Sequence, residues 1–367
     1  MKLLITGGHV TPALAVIDEL QRSNKSVQIL FVGRRYTSEK SREETLEYKE
    51  IKARKIQFIH LKTGRLTRVL SVATIFNLLK VPAGFFQAVR IIRKYKPDRV
   101  LSFGGYLALP IAVVASAMNI PVYTHEQTIQ PGLSNRIIAR FARKVLVSFE
   151  DSKQYFPKRR VVVSGNPVRE QTLTIQKKPF TIKKTSPVIY ITGGSLGSHS
   201  INALIEEILP ELLEQYIVIH QVGNVKEYND FRRLEKYKKI LPVELQKRYF
   251  LKEHMATDEL GYIFSVSDLI IGRSGANTFF ELVRLKKPAI FIPLPWSGHN
   301  EQQKQADLYK TWGVGEVFNQ EGSSKELLTL VHSTIESLDK YQKNFNHTQL
   351  TYAKDAVSTI IKTIIGQ

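Results

Sequence analysis

The feature that most limits what this chain can fold into is a strand, glycine turn and helix unit that occurs twice. Leu4-Ile5-Thr6-Gly7-Gly8-His9 stands near the start, and Tyr190-Ile191-Thr192-Gly193-Gly194-Ser195 near the middle. In each, a short β-branched run meets two glycines and then a helical pattern, as in the first βα unit of a doubly wound domain. Glycines there let the backbone approach a phosphate, and the following helix start offers free N–H groups. A Gly-Gly pair is also an ordinary tight turn, so the two equivalent copies, more than either alone, point to a phosphate or diphosphate site. Neither copy has the G-x-G-x-x-G spacing, and no G-x-x-x-x-G-K-[ST] loop is present. Dehydrogenase and P-loop chemistry are disfavoured.

Apolar runs alternate with helical patterns along all 367 residues. Lys2–Ile5, Val27–Val32, Arg99–Ser102, Val122–Thr124, Val145–Ser148 and Val161–Ser164 read as strands of a first half. Val188–Thr192, Ile217–His220, Leu269–Gly272 and Ala289–Ile292 read as strands of a second. Strands apolar on both faces and separated by helices imply parallel sheets covered on both sides. Lys177–Pro187 is basic, carries two prolines and lacks apolar periodicity, so it reads as linker. The expected organisation is a Rossmann-like domain over 1–170, a linker over 171–187 and a second Rossmann-like domain over 188–345. A C-terminal helix within 346–367 is expected to pack back on the first domain.

Composition removes several classes. There is no cysteine, which excludes disulfides, thiolate metal sites and cysteine nucleophiles. The nine histidines never take H-E-x-x-H spacing, and no Asp-x-Asp occurs, so a metal-independent mechanism without cofactors is the simpler expectation. The apolar start gives way to Thr6-Gly7-Gly8 too soon for a secretory signal, which implies a cytoplasmic location. Val100–His125 runs 26 residues without a formal charge, long enough to cross a bilayer. Its Gly104-Gly105, Pro110, Asn119 and Pro121 instead fit strand, glycine turn, buried helix and strand.

The charge is lopsided. The chain carries 53 Lys and Arg against 33 Asp and Glu, a net of +20. Residues 1–170 hold 29 basic and 12 acidic side chains, and the rest 24 and 21. The first half should therefore face something anionic. Between Ile51 and Val100 there are 12 basic residues and one acid, Asp98, among the apolar residues Leu70, Ile75, Phe76, Leu79, Phe85, Phe86, Val89 and Ile92. Basic flanks beside apolar residues suit an interfacial membrane contact, though about half of these apolar residues are expected in the core. Pro82 is placed to start a second helix in this stretch. No nucleic-acid module accompanies the charge, and no nucleic-acid partner is expected.

Several separated motifs together resemble one family. They are Thr6-Gly-Gly-His9-Val-Thr-Pro12, Phe103-Gly-Gly-Tyr106, His125-Glu-Gln127 with Pro131-Gly-Leu-Ser-Asn135-Arg136, and Gly165-Asn-Pro-Val-Arg169. The second half adds Gly193-Gly-Ser195, His220-Gln221, Arg273-Ser-Gly-Ala-Asn-Thr278 with Glu281, and Pro293-Leu-Pro followed by Gln302. In this order they resemble the MurG family of N-acetylglucosaminyltransferases. The resemblance implies an α/β, GT-B architecture of two Rossmann-like domains facing a central cleft. It further implies inverting transfer from UDP-GlcNAc to undecaprenyl-diphosphate-linked muramyl pentapeptide at the cytoplasmic membrane face.

The resemblance also assigns residues. His9 is the first candidate base, a capping histidine being the alternative; Glu126 is the second, with a buried carboxylate bonded to local backbone as its alternative. Donor contacts are expected from Thr6, Gly7, Gly8, Thr128, Arg169, Ser195, Thr257, Ala276, Asn277, Thr278, Glu281 and Gln302. Acceptor contacts are expected from Gly104, Gly105, Tyr106, Gln127 and Asn135. Four features depart from the family pattern: the glycine run before His9 is shorter, Thr128 stands in place of Asn, Leu196 where Gln is frequent, and a few extra residues lie between Leu251 and Asp268, around the expected Thr257 contact. Two other readings keep the fold, a diacylglycerol glycosyltransferase and a non-catalytic sugar-nucleotide-binding subunit.

Overall fold

The computed structural model describes residues 1–23, 26–37, 43–64, 72–194, 196–224, 227–347 and 355–366, with the backbone alone for 72–80. The chain forms two compact units, Met1–Arg169 with Thr351–Gln367, and Glu170–Leu350.

The first unit is built on seven parallel strands: β1 (Lys2–Gly7), β2 (Gln28–Gly33), β3 (Gln57–His60), β4 (Arg99–Phe103), β5 (Val122–Glu126), β6 (Lys144–Val147) and β7 (Val161–Val163). Their order is β3-β2-β1-β4-β5-β6-β7, so the winding reverses between β1 and β4. Alternation along β1 shows why the sheet must be covered twice. Leu3 and Ile5 pack with Leu14, Ile17 and Leu20 of the Val10–Ser23 helix, while Leu4 points the other way. On Leu4's face lie Ala88, Ile91 and Ile92 of the Val72–Tyr95 helix, then Ile111 and Ala115 of the Ala108–Ala117 helix, then Ile138. The helix Ala356–Ile365 closes the Leu3 face through Ile360 and Ile364, both essentially buried.

The second unit repeats the plan with β8 (Val188–Thr192), β9 (Ile217–Gln221), β10 (Tyr249–Lys252), β11 (Leu269–Gly272), β12 (Ala289–Phe291) and β13 (Gly315–Val317). The order is β10-β9-β8-β11-β12-β13, all parallel, with the reversal between β8 and β11. In such sheets the reversal leaves a crevice at the carboxyl ends of the strands, where ligands bind. The segment after Arg169 belongs to this unit. Its short helix Glu170–Leu173 packs on the Thr257–Val266 helix, the Lys177 N–H donates to the Asp258 carbonyl, and the Lys177 ammonium lies 3.4 Å from Glu259.

All ten strands expected from the sequence are present. The three it does not announce are β3, β10 and β13, each at a sheet edge and each mostly half-buried. An edge strand packs fewer apolar neighbours, so Gln57-Phe-Ile-His60 carries no continuous apolar run. The charge-free stretch resolves into β4, the Ala108–Ala117 helix and β5. Among the described residues no helix is long and apolar enough to cross a membrane.

One expectation is corrected. Pro82 does not begin a helix; it lies inside the 24-residue Val72–Tyr95 helix. An interior proline costs roughly 3 kcal/mol. Pro82 and Ala83 are exposed, while Gly84, Ala88, Ile91 and Ile92 form a buried stripe that fastens the helix to the sheet beyond it. Of the apolar residues of this stretch, Ile92 is core, Phe85 and Val89 are half-buried and Phe86 is 65% exposed. Leu70 and the side chains of Ile75, Phe76 and Leu79 lie outside the described residues. Truncating Ile360 to Ala should leave a cavity between the last helix and β1, lowering stability by about 2–5 kcal/mol in urea unfolding. A change within 0.5 kcal/mol would show that the helix is not part of this core.

Candidate active site

At the reversal of the first sheet the turns after β1 and β4 touch. The Gly8 N–H donates to the Gly104 carbonyl at 2.9 Å. A Cβ on Gly7 would stand 2.6 Å from the Phe103 Cβ, and one on Gly105 would stand 3.1 Å from the Gly8 Cα. Gly104 and Gly105 also have φ of +72° and +79°, a region that side chains rarely adopt. The glycines after β1, expected as a phosphate cradle, thus first serve to let two backbones meet. Thr6 lies inside β1 between Val32 and Ser102 and is wholly buried, so its side chain is no donor contact. Gly7 is buried as well, which leaves Gly8 and His9 at the surface.

His9 is held by this junction. Its Nδ1 lies 3.0 Å from the Phe103 carbonyl. A carbonyl only accepts, so Nδ1 carries a proton, and of the two neutral tautomers the contact selects the one with its lone pair on Nε2. The half-buried ring is thereby fixed in orientation at the carboxyl end of β1.

Behind it lies a buried polar network. Glu126 ends β5 and is 2% exposed. One carboxylate oxygen accepts from the Thr128 N–H at 3.0 Å and from its hydroxyl at 2.6 Å; the other accepts from Asn135 Nδ2 at 2.8 Å and the Gly132 N–H at 3.3 Å. A carboxylate offers about four acceptor positions, and all four are taken. Glu126 matches its alternative reading, a carboxylate organising the 127–135 loop, and is corrected as a candidate base. Asn135 is equally committed. Its oxygen accepts from the Thr124 hydroxyl at 2.8 Å, and Nδ2 donates also to the His125 carbonyl. A Cβ on Gly104 would meet that amide at 2.8 Å, so Asn135 shapes the turn from behind and its buried amide is no acceptor contact. Thr128 is tied to Glu126 by two hydrogen bonds, and the Asn it replaces is a longer amide. Gln127 is 9% exposed with a buried oxygen that has no protein partner, and Tyr106 is half-buried. Arg169 is half-buried at the end of the first unit.

His125 is buried, with Nε2 3.1 Å from the Gly165 carbonyl. Burial pushes its pKa down to about 4, only partly opposed by that hydrogen bond, so the ring is neutral at pH 7.

The second sheet repeats the geometry with other chemistry. Gly194 has φ +87°; its N–H donates to the Thr192 hydroxyl, and its carbonyl accepts from Gln221 Nε2 at 2.9 Å. The Gln221 oxygen accepts from the Tyr190 hydroxyl and the Met255 N–H, both at 3.2 Å, so this one side chain joins the Gly194 turn, β8 and the segment after β10. His220 is buried between the Tyr249 hydroxyl and the Asn202 oxygen, and burial drops its pKa to about 3. Across the reversal the Ala276–Leu285 helix starts at Gly275, where a Cβ would meet nothing within 4 Å. The N–H groups of Ala276, Asn277 and Thr278 lie in its first turn, where helices leave donors for an anion. Glu281, one turn on, is 6% exposed. The Gln302 carbonyl accepts from the Ser274 hydroxyl and its side-chain oxygen from the Leu294 N–H, closing the loop after β12. Thr257 opens the Thr257–Val266 helix and is half-buried. Ser195 lies outside the described residues.

Arg273, present in the motif but given no role by it, is the organiser here. Its guanidinium donates to Ser198 Oγ at 2.7 Å, Ser200 Oγ at 2.9 Å and Gln320 Oε1 at 2.6 Å, and to the carbonyls of Ile292 and Pro293. All these partners are neutral. Burial pulls its pKa down to about 10, so a full positive charge stays beside the second sheet's reversal. Among the described residues no three carboxylate or imidazole groups converge as metal ligands.

Two family models match, the glycosyltransferase family 28 N-terminal domain over residues 6–147 and its C-terminal domain over 188–363. The chain belongs to the MurG-type transferases of glycosyltransferase family 28. A Bacillus cereus relative named UDP-N-acetylglucosamine–N-acetylmuramyl-(pentapeptide) pyrophosphoryl-undecaprenol N-acetylglucosamine transferase 2 is 33% identical, with 99% of each chain covered. A Clostridium novyi protein of the corresponding name is 31% identical over 98% of each. Among solved structures, MurG of Acinetobacter baumannii superposes with a TM-score of 0.72 at 24% identity, covering 100% of this chain and 99% of its own. The UDP-GlcNAc 2-epimerase of Neisseria meningitidis, bound to UDP-GlcNAc, gives 0.69 at 17% identity with both chains fully covered. The fold is the GT-B class, shared by MurG-type enzymes and by epimerases that handle the same nucleotide sugar.

Two outcomes test the buried network. Glu126→Gln places an amide NH₂ against donors, so it should lower stability by about 1–3 kcal/mol in urea unfolding. Unchanged stability would return Glu126 to the candidate bases. His125 and His220 have folded pKa values below the unfolded value near 6.5. The stability they contribute is complete above that pH and is lost as pH falls towards 4 and 3. The urea midpoint should fall between pH 6.5 and 4.5, and less steeply in His125→Gln.

Proposed function

We propose that the chain transfers GlcNAc from UDP-GlcNAc, with inversion, to the muramyl 4-hydroxyl of undecaprenyl-diphosphate-linked MurNAc-pentapeptide. The observation that carries the mechanism is His9, its Nδ1 held by the Phe103 carbonyl, so that in the neutral ring the lone pair is on Nε2. In the proposed step Nε2 takes the acceptor hydroxyl proton as that oxygen attacks the anomeric carbon. The bond from that carbon to the diphosphate oxygen breaks, and its electron pair leaves with UDP.

On the donor side the proposed contacts are the Gly193-Gly194 turn with Ser195, the first-turn N–H groups of Ala276–Thr278, and the positive charge of Arg273, which together suit a departing diphosphate. Glu281 is proposed to accept from ribose hydroxyls, Thr257 to lie by the uracil, Arg169 to reach the donor, and Gln302 to offer its amide nitrogen to the sugar. On the acceptor side Gly8, Gly105, Tyr106 and Gln127 are the proposed contacts. Attachment to the cytoplasmic face of the membrane is proposed through the 51–100 region, supported by its 12 basic residues and by Phe86, which is exposed under the Arg90 guanidinium at 5.2 Å.

The test is transfer of labelled GlcNAc to a short-chain muramyl-diphosphate lipid. The intact protein should form product, and His9→Ala should lose about 10²–10⁴-fold in kcat while binding UDP-GlcNAc unchanged. Product that survives the substitution would move the base elsewhere. No product from protein that still binds UDP-GlcNAc would overturn the reaction, and product with diacylglycerol instead would reassign the acceptor.

A further inference from the structure

Next to the β1–β4 junction, on the side away from β4, the carboxyl ends of β2 and β3 hold a second group of charged side chains. Thr6 pairs with Val32, and Gly33 with His60, so Gly7, Gly33 and His60 form a row across the sheet. Parallel neighbours lie about 4.8 Å apart, which sets His60 roughly 10 Å from the turn that holds His9. The row is firmly built. The Thr45 hydroxyl donates to the Arg34 carbonyl, and Glu47, in the first turn of the Leu46–Ala53 helix, accepts from the Arg34 N–H at 3.2 Å. A Cβ on Gly33 would stand 2.6 Å from that carboxyl, so glycine admits it to the end of β2. The Arg35 N–H donates to His60 Nδ1 at 3.0 Å, while Gln87 of the Val72–Tyr95 helix bonds the His60 carbonyl and the Lys62 N–H. Positive charge is in excess here. Arg35 is committed, its guanidinium paired with Glu44 at 3.0 Å and lying over the Tyr48 and Tyr36 rings. Among the described residues Arg34 and Lys62 form no ion pair, unlike Arg22 with Glu19 and Arg54 with Asp18. Burial pushes the Glu47 carboxyl up to about 7, so at neutral pH it offsets these cations only in part. Burial, followed by Lys62 and then Arg34 and Arg35, holds the His60 pKa below its ordinary value, so three positive charges converge on one neutral ring.

We infer that the carboxyl ends of β2 and β3 are the subsite for the peptide stem of the muramyl acceptor, with Arg34 and Lys62 taking its carboxylates. Cations without a partner select an anion, and the planar Arg34 fork suits a carboxylate in particular. Position supports the same occupant. The stem is carried by the sugar whose hydroxyl is proposed to meet His9, and five extended residues span at most about 17 Å, enough to cross the row from Gly7 to His60. On the other side of the junction the polar groups of Glu126, Thr128 and Asn135 are committed to one another. The inference rests on the proposed acceptor and adds to it a means of recognising the peptide.

Transfer of labelled GlcNAc to two short-chain muramyl-diphosphate lipids tests it, one with the carboxylates of its pentapeptide free and one with them converted to primary amides. With the intact chain kcat/KM should be roughly tenfold higher for the carboxylate form, about threefold from each exposed charge contact. Lys62→Gln alone, at an exposed position, should lower that preference about threefold. Arg34→Gln with Lys62→Gln, its folding checked by circular dichroism, should abolish it. Equal use of the two acceptors by the intact chain would overturn the subsite and leave the reaction standing. A preference that persists in the double variant would place the carboxylates elsewhere and overturn it as well. A loss of the same size with both acceptors would assign the cations to the diphosphate that the two share, and the peptide site would fall. No product from either acceptor would overturn the proposed reaction, and the subsite with it.

Discussion

The contact between the β1 and β4 turns is the constraint on which the rest of the first site depends. It exists because a doubly wound sheet reverses there, so two strands that lead to opposite sides end side by side. Bringing their turns within hydrogen-bond distance requires Gly7 and Gly105, where a Cβ would crowd the other turn, and Gly104, where it would strike the Asn135 amide. Once the turns meet, the Phe103 carbonyl stands next to His9, and the histidine tautomer follows from carbonyl chemistry. Asn135 braces Gly104 from below and is itself held by Thr124 and Glu126. The orientation of one imidazole thus rests on three glycines, a buried amide and a buried carboxylate.

The two sheets use the same reversal for different tasks. The first sets the Phe103 carbonyl against His9 Nδ1, which suits the base proposed there. The second surrounds its turn with donors: a helix start at Gly275, the Gly194 turn and the arginine that binds Ser198, Ser200 and Gln320. A base for a hydroxyl and a positive field for a departing diphosphate are the two requirements of glycosyl displacement without a metal. Here they belong to separate units.

Much of this was legible in the sequence because it depends on local pattern. Interior strands are apolar on both faces, and all nine stood out, as did the edge strand β7 with its Val161-Val-Val163 run; the other edges, β3, β10 and β13, did not, because edge strands need no such run. The repeated Thr-Gly-Gly turn revealed both reversals. What stayed hidden depends on distance in space. That Thr6 faces inward, that Glu126 has every acceptor position filled, and that Asn135 is a brace all follow from partners brought together by folding. Arg273 was visible as a motif letter, but its five acceptors come from residues 198, 200, 292, 293 and 320, which no local spacing connects. Pro82 was misplaced because a proline after an apolar helical pattern looks like a boundary, whereas the buried stripe beyond it continues the same helix.

The most direct test of the account is the ring protonation of His9, read from ¹⁵N shifts of histidine-labelled protein at pH 7.5, with His9→Gln to assign the signal. The account predicts a neutral ring with the proton on Nδ1 and a bare Nε2. A neutral ring with its proton on Nε2 instead would contradict it, because Nδ1 would then have no N–H to donate to the Phe103 carbonyl and the nitrogen offered to the acceptor hydroxyl would be unable to take its proton.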